Sequence, residues 1–105
     1  MEIAKPYLSR VGQAGEYSHV TGQLSYVHAG GGIWVVRYAP LDREDRYGGS
    51  FVLAPLVDME KYQDGDLVTV HGEVLHEGRA SRHLGGSLYK VTSISLIDRL
   101  VGVSK

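Results

Sequence analysis

The sequence predicts an all-β protein: a closed five-stranded barrel with a short helix between its third and fourth strands. Two segments fifty positions apart, Val20-Thr21-Gly22-Gln23-Leu24 and Val70-His71-Gly72-Glu73-Val74, each have aliphatic ends, polar positions and a central glycine. Alternating apolar and polar residues mark a strand with one buried face, and a glycine within it marks a bulge, a bend or a close backbone approach, as small barrels require. The other apolar runs are also short and are separated by glycine-rich or charged turns. At 105 residues, with 43% hydrophobic and 22% charged residues, the chain has the size of one domain and buries roughly 60 to 68% of its unfolded surface.

The elements follow in order. Strand one runs from Val20 to His28, and Ala29-Gly30-Gly31-Gly32 turns it into strand two, Ile33 to Ala39, forming a hairpin. Leu41 to Gly49 is polar and reads as a surface loop before strand three, Ser50 to Pro55. Val57 to Tyr62 has room for one or two helical turns that plug the barrel, with Asp58 suited to the positive helix start. Asp64-Gly65 supplies a turn, and Leu67 to Leu75 forms strand four, with Val68, Val70, Gly72 and Val74 on one face. Glu77 to Ser87 is a long hairpin loop leading to strand five, Leu88 to Ile97. Residues 1–17 lack a period and are broken by Gly12 and Gly15, so they read as an N-terminal arm on a single domain whose barrel spans about 20–98. There is no low-complexity tract and no solenoid repeat.

Strict alternation in strand two puts Trp34, Val36 and Tyr38 on one face, and Ile33, Val35, Arg37 and Ala39 on the other. Burying an unpaired Arg costs several kcal/mol whereas Trp and Tyr bury well, which directs Trp34 inward and Arg37 to the outer, ligand-side surface. The opposite register would place Trp34 and Tyr38 outside beside Phe51, as a platform for stacked bases. Tyr26, Tyr47 and Tyr89 sit near strand ends or loops and read as packing residues.

Composition excludes several functions. The net charge of −1 argues against coating nucleic acid by bulk attraction. Charge is uneven, however: residues 58 to 66 carry −3 (Asp58, Glu60, Asp64 and Asp66 against Lys61), and residues 76 to 90 carry +2 (Arg79, Arg82 and Lys90 against Glu77). The absence of cysteine rules out disulfides, thiolate metal sites and thiol nucleophiles. No apolar run reaches membrane-spanning length and the first residues lack a signal-peptide core, so the expectation is a cytoplasmic protein without membrane association. The five histidines, at 19, 28, 71, 76 and 83, show neither helical i, i+4 spacing nor a cysteine partner, which gives no sequence basis for a metal site. The glycine-rich spots match no phosphate-loop motif, and no catalytic constellation follows from spacing; neither an enzyme nor a cofactor is expected.

Tyr62-Gln63-Asp64-Gly65-Asp66-Leu67-Val68-Thr69-Val70-His71-Gly72-Glu73-Val74 resembles the helix exit, turn and fourth strand of the oligonucleotide/oligosaccharide-binding (OB) fold, and Leu88-Tyr89-Lys90-Val91-Thr92-Ser93-Ile94 resembles its fifth strand. The resemblance covers roughly Val20 to Asp98 and implies a Greek-key barrel. It also implies a ligand laid across strands two and three and gripped by His28 to Gly32 and His76 to Ser87. The expected role is a binding module for single-stranded DNA or RNA, with Arg37 and Lys90 on the sheet and Arg79, Arg82 and His83 closing from the loop. The rival expectation is a protein-interaction or assembly module docking a partner or another copy through a strand edge or the Tyr-rich face. A saccharide ligand comes third.

Overall fold

The computed structural model describes residues 3–28, 32–43, 47–54, 59–75 and 87–100. The tip of the first hairpin, the centre of the 41–49 loop, Asp58 and the 76–86 loop lie outside the described residues. Six strands are present: β1 (Gly12–Gln13), β2 (His19–Val27), β3 (Ile33–Arg37), β4 (Ser50–Ala54), β5 (Leu67–Leu75) and β6 (Ser87–Asp98). The five strands predicted from the sequence are β2 to β6, with limits within two residues of those expected. Of the expected helix, residues 59–62 form only a single turn, closed by the Tyr62 amide donating to the Met59 carbonyl at 3.1 Å.

The sheet closes on itself in the order β2–β3–β4–β6–β5 and back to β2, with β1 added beside β2. All neighbours are antiparallel except β4 and β6, which run parallel. Closure depends on β2 serving two partners: residues 19–23 pair with β5, and residues 23–27 pair with β3. Gly22 sits just before this change of partner. A Cβ there would run into the Arg37 carbonyl, so the strand can bend this tightly only without a side chain. Gly72 plays the same part in β5, where a Cβ would meet the Lys90 carbonyl beside a bulge. Both glycines singled out in the sequence are therefore points of close backbone approach.

Two bulges bend β6 against β5. Ile97 is the extra residue between the pairs Leu67↔Asp98 and Val68↔Leu96, and Thr92 the extra residue between His71↔Ser93 and Gly72↔Val91. The Thr92 hydroxyl donates to the His71 carbonyl at 3.0 Å and pins the second bulge.

The core follows the predicted alternation. Val36 and Tyr38 are buried and Trp34 packs against them half-buried, so the expected inward face of strand two is the inward face of β3. Tyr17, Tyr38, Phe51 and Tyr89 form an aromatic centre: Tyr38 stacks on Phe51 at 5.0 Å between ring centroids, and Phe51 lies 4.9 Å from Tyr89. Residues 3–11 pack onto the outside of the barrel. Ile3 and Tyr7 are buried against Leu67, and the Ala4 amide donates to Gln23 Oε1 at 2.8 Å. No helix among the described residues is long and apolar enough to cross a membrane.

Candidate functional site

In a barrel of this shape the outer face of β3 and β4 is the first place to look for a ligand. Register puts Val35 opposite Val52 and Arg37 opposite Ser50 there, and places Leu88 beside Val52. This face is aliphatic and closed: Val35 is 4% exposed and Val52 3%. Among the described residues no aromatic ring lies on it, since Phe51 points inward and is fully buried. The alternative register that would have made a stacking platform of Trp34, Tyr38 and Phe51 is absent.

Arg37 needs a correction. Its side chain has the expected outward parity, yet only 6% of it is exposed. The reason is local: Gly48 and Gly49 take left-handed φ values of 81° and 82°, which curls residues 47–49 over the guanidinium. The Gly48 carbonyl accepts from Nη1 at 3.1 Å, and a Cβ on Gly49 would sit 3.1 Å from Nη2. An unpaired Arg is costly to bury, whereas charge-assisted hydrogen bonding to the Gly48 carbonyl makes burial tolerable.

Lys90 is exposed on β6, in register with Glu73 of β5 and with Ala54 of β4. Arg37 pairs with Ser50, four residues from Ala54 along β4. At about 3.3 Å per residue the two cations stand on rows roughly 13 Å apart. The structure thus does not bring Arg37 and Lys90 together, and Arg79, Arg82 and His83 lie outside the described residues.

The aromatic surface is elsewhere, at the turn end of the β2–β3 hairpin. Tyr26 is 37% exposed and lies 5.0 Å between ring centroids from its register partner Trp34, and 4.9 Å edge-on from His28. Asp64 borders this group and accepts the Tyr26 amide at 2.7 Å. The other two tyrosines expected as packing residues are such, Tyr89 fully buried and Tyr47 partly so.

The acidic end predicted around residues 58–66 is partly neutralised. Asp66 is 1% exposed and receives a fork from Arg99, Nε to Oδ1 and Nη2 to Oδ2, each at 2.8 Å. The Gln63 amide adds a third bond at 2.8 Å. Burial by itself would raise the Asp66 pKa, but these bonds more than offset it and hold the carboxyl below its ordinary value. Arg10 pairs with Asp98 at 2.8 Å, and this bond, with the Arg99 amide, holds the exposed Asp98 carboxyl low as well.

Among the described residues, exposed apolar side chains cluster at the end of β6. Leu96, Ile97 and Leu100 are each 41–44% exposed, and Leu8, at 43%, lies two residues from the Arg10 that pairs with Asp98. Among the described residues β4 pairs only with Ser87 to Lys90, so from Val91 onward β6 has β5 as its one described strand neighbour. The Tyr62 hydroxyl, which donates to the Ile94 carbonyl at 3.1 Å, caps one position of that edge. Sequence reasoning missed this feature, because it depends on how far a five-residue strand reaches along a twelve-residue one.

The barrel seam also brings together His19 and His71, which share no sequence motif. Their ring centroids are 5.3 Å apart. No group of three or more His, Cys, Asp or Glu side chains suited to a metal ion occurs among the described residues.

These features define a closed five-stranded β-barrel with one extra strand, a filled β3–β4 face and an apolar, one-sided β6 edge. Comparison with protein-family models, curated proteins and solved structures finds no match to this chain.

Proposed function

We propose that the chain is a non-catalytic binding domain of the OB type that acts as a protein-interaction or assembly module. The type is supported by a glycine-bent first strand shared between two neighbours and by the Greek-key connection that sets the third and fifth barrel strands parallel. The observation that carries the protein reading is the β6 edge, where backbone groups beyond Lys90 lie beside exposed Leu96, Ile97 and Leu100. A one-sided strand edge accepts an added strand by main-chain hydrogen bonding, while flanking apolar side chains supply burial. The first partner to test is a second copy.

Sedimentation velocity from roughly 10 µM to 1 mM spans the range in which modest interfaces associate. The expected result is concentration-dependent association that Leu96→Asp and Ile97→Asp abolish while each variant keeps the wild-type melting temperature. Association unaffected by either substitution would overturn the assignment of this edge.

Single-stranded DNA or RNA remains a second reading, favoured by the exposed Tyr26 with Trp34 and His28, by Lys90, and by the basic 76–86 loop with Arg79, Arg82 and His83. Its test is fluorescence anisotropy of labelled single strands at two salt concentrations. Binding that weakens with salt and is lost in Arg79→Ala/Arg82→Ala and in Tyr26→Ala would establish it; no binding at low salt would remove it.

A further inference from the structure

We propose that His19 and His71 form a transition-metal site across the seam that closes the barrel. The two residues are direct partners in the antiparallel β2–β5 ladder, and both are exposed on the outer face of the sheet. On one side of them the seam is tightly held: Val20 and Val70 pair in the core, and the Thr21 and Thr69 hydroxyls are 2.7 Å apart. The Gly72 amide donates to the Ser18 carbonyl at 3.1 Å, which fixes the backbone next to both histidines. The imidazoles are therefore presented from rigid strands, the arrangement that gives a binding site its preorganisation.

The ring geometry suits one shared ion. A tetrahedral metal held by two imidazole nitrogens at about 2.0–2.1 Å keeps the ring centroids roughly 5 Å apart, and here they are 5.3 Å apart with an interplanar angle of 36°. Among the described residues neither imidazole is engaged in a hydrogen bond or an ion pair, so a metal displaces no existing partner. Two nitrogen donors with water in the remaining positions select zinc, nickel or copper(II) over magnesium or calcium, which prefer oxygen. A bound ion would clip β2 to β5 and stabilise the closed barrel, because the unfolded chain does not hold the two histidines together.

The test uses the full chain with any purification tag removed, melted in the presence of zinc chloride, nickel chloride or magnesium chloride. The expected result is a saturable rise in melting temperature with zinc and nickel, reversed by EDTA and absent with magnesium. His19→Ala and His71→Ala should each weaken zinc binding at least tenfold, while His28→Ala should not. Side-chain NMR of the wild type provides a second readout, in which zinc should shift the His19 and His71 resonances first, whatever the variants do to stability. The proposal is overturned if zinc up to about 1 mM leaves the melting temperature and both histidine resonances unchanged, or if both substitutions leave the effect intact.

Discussion

Gly72 lies against a carbonyl that no side chain can displace. Gly72→Ala should cost about 2–3 kcal/mol, because the new methyl meets the backbone of Lys90 rather than a flexible side chain. The check is a urea titration in which the midpoint falls and the slope stays the same. Tyr89 offers a second test. Its hydroxyl donates to the Tyr17 carbonyl at 2.5 Å in the aromatic centre, and Tyr17 itself adopts a left-handed φ of 59°. Burial pushes the Tyr89 pKa up to about 12, so one tyrosine should ionise well after the exposed ones in an absorbance titration. Tyr89→Phe removes this buried hydrogen bond and should cost about 1 kcal/mol by chemical denaturation. Tyr7 is the opposite case. Its hydroxyl is buried with no hydrogen-bond partner among the described residues, so Tyr7→Phe should be neutral or stabilising, and a clear fall in melting temperature would contradict this account. The role of both glycines and the inward face of β3 were legible in the sequence. The burial of Arg37 was not, because it depends on where Gly48 and Gly49 lead the chain.

At the scale of elements, the β5–β6 hairpin is tied at its base by the Asp66–Arg99 fork, since Asp66 precedes β5 and Arg99 follows β6. Because the Asp66 pKa is depressed in the folded state, its contribution is complete above roughly pH 5. It declines as the pH falls through the ordinary carboxylate value of about 3.9, and is lost below the depressed folded value. Asp66→Asn should therefore be less stable than wild type at neutral pH, and its stability should depend less on pH in the acid range. Urea midpoints measured from pH 7 downward check both statements. The sequence marked Asp66 only as one member of an acidic end; its partner lies 33 residues away and is set by the length of the hairpin.

For the whole molecule, stability depends on the chain before the barrel as well as on the barrel. Ile3 and Tyr7 cover Leu67, and Gln23 ties to Ala4. Deleting residues 1–11 should cost about 3 kcal/mol, judged from the burial of two large side chains, and should increase binding of an apolar dye. An unchanged melting temperature would mean that residues 1–11 are an appendage and not part of the packing. Strand limits, the two bend points and the inward face of β3 could be read directly from the chain, because alternation, turn chemistry and the absence of a side chain act over a few residues. Which faces are covered, how far β6 runs past β4, and that His19 meets His71 could not be read, since each depends on contacts between residues far apart in sequence that exist only once the barrel has closed.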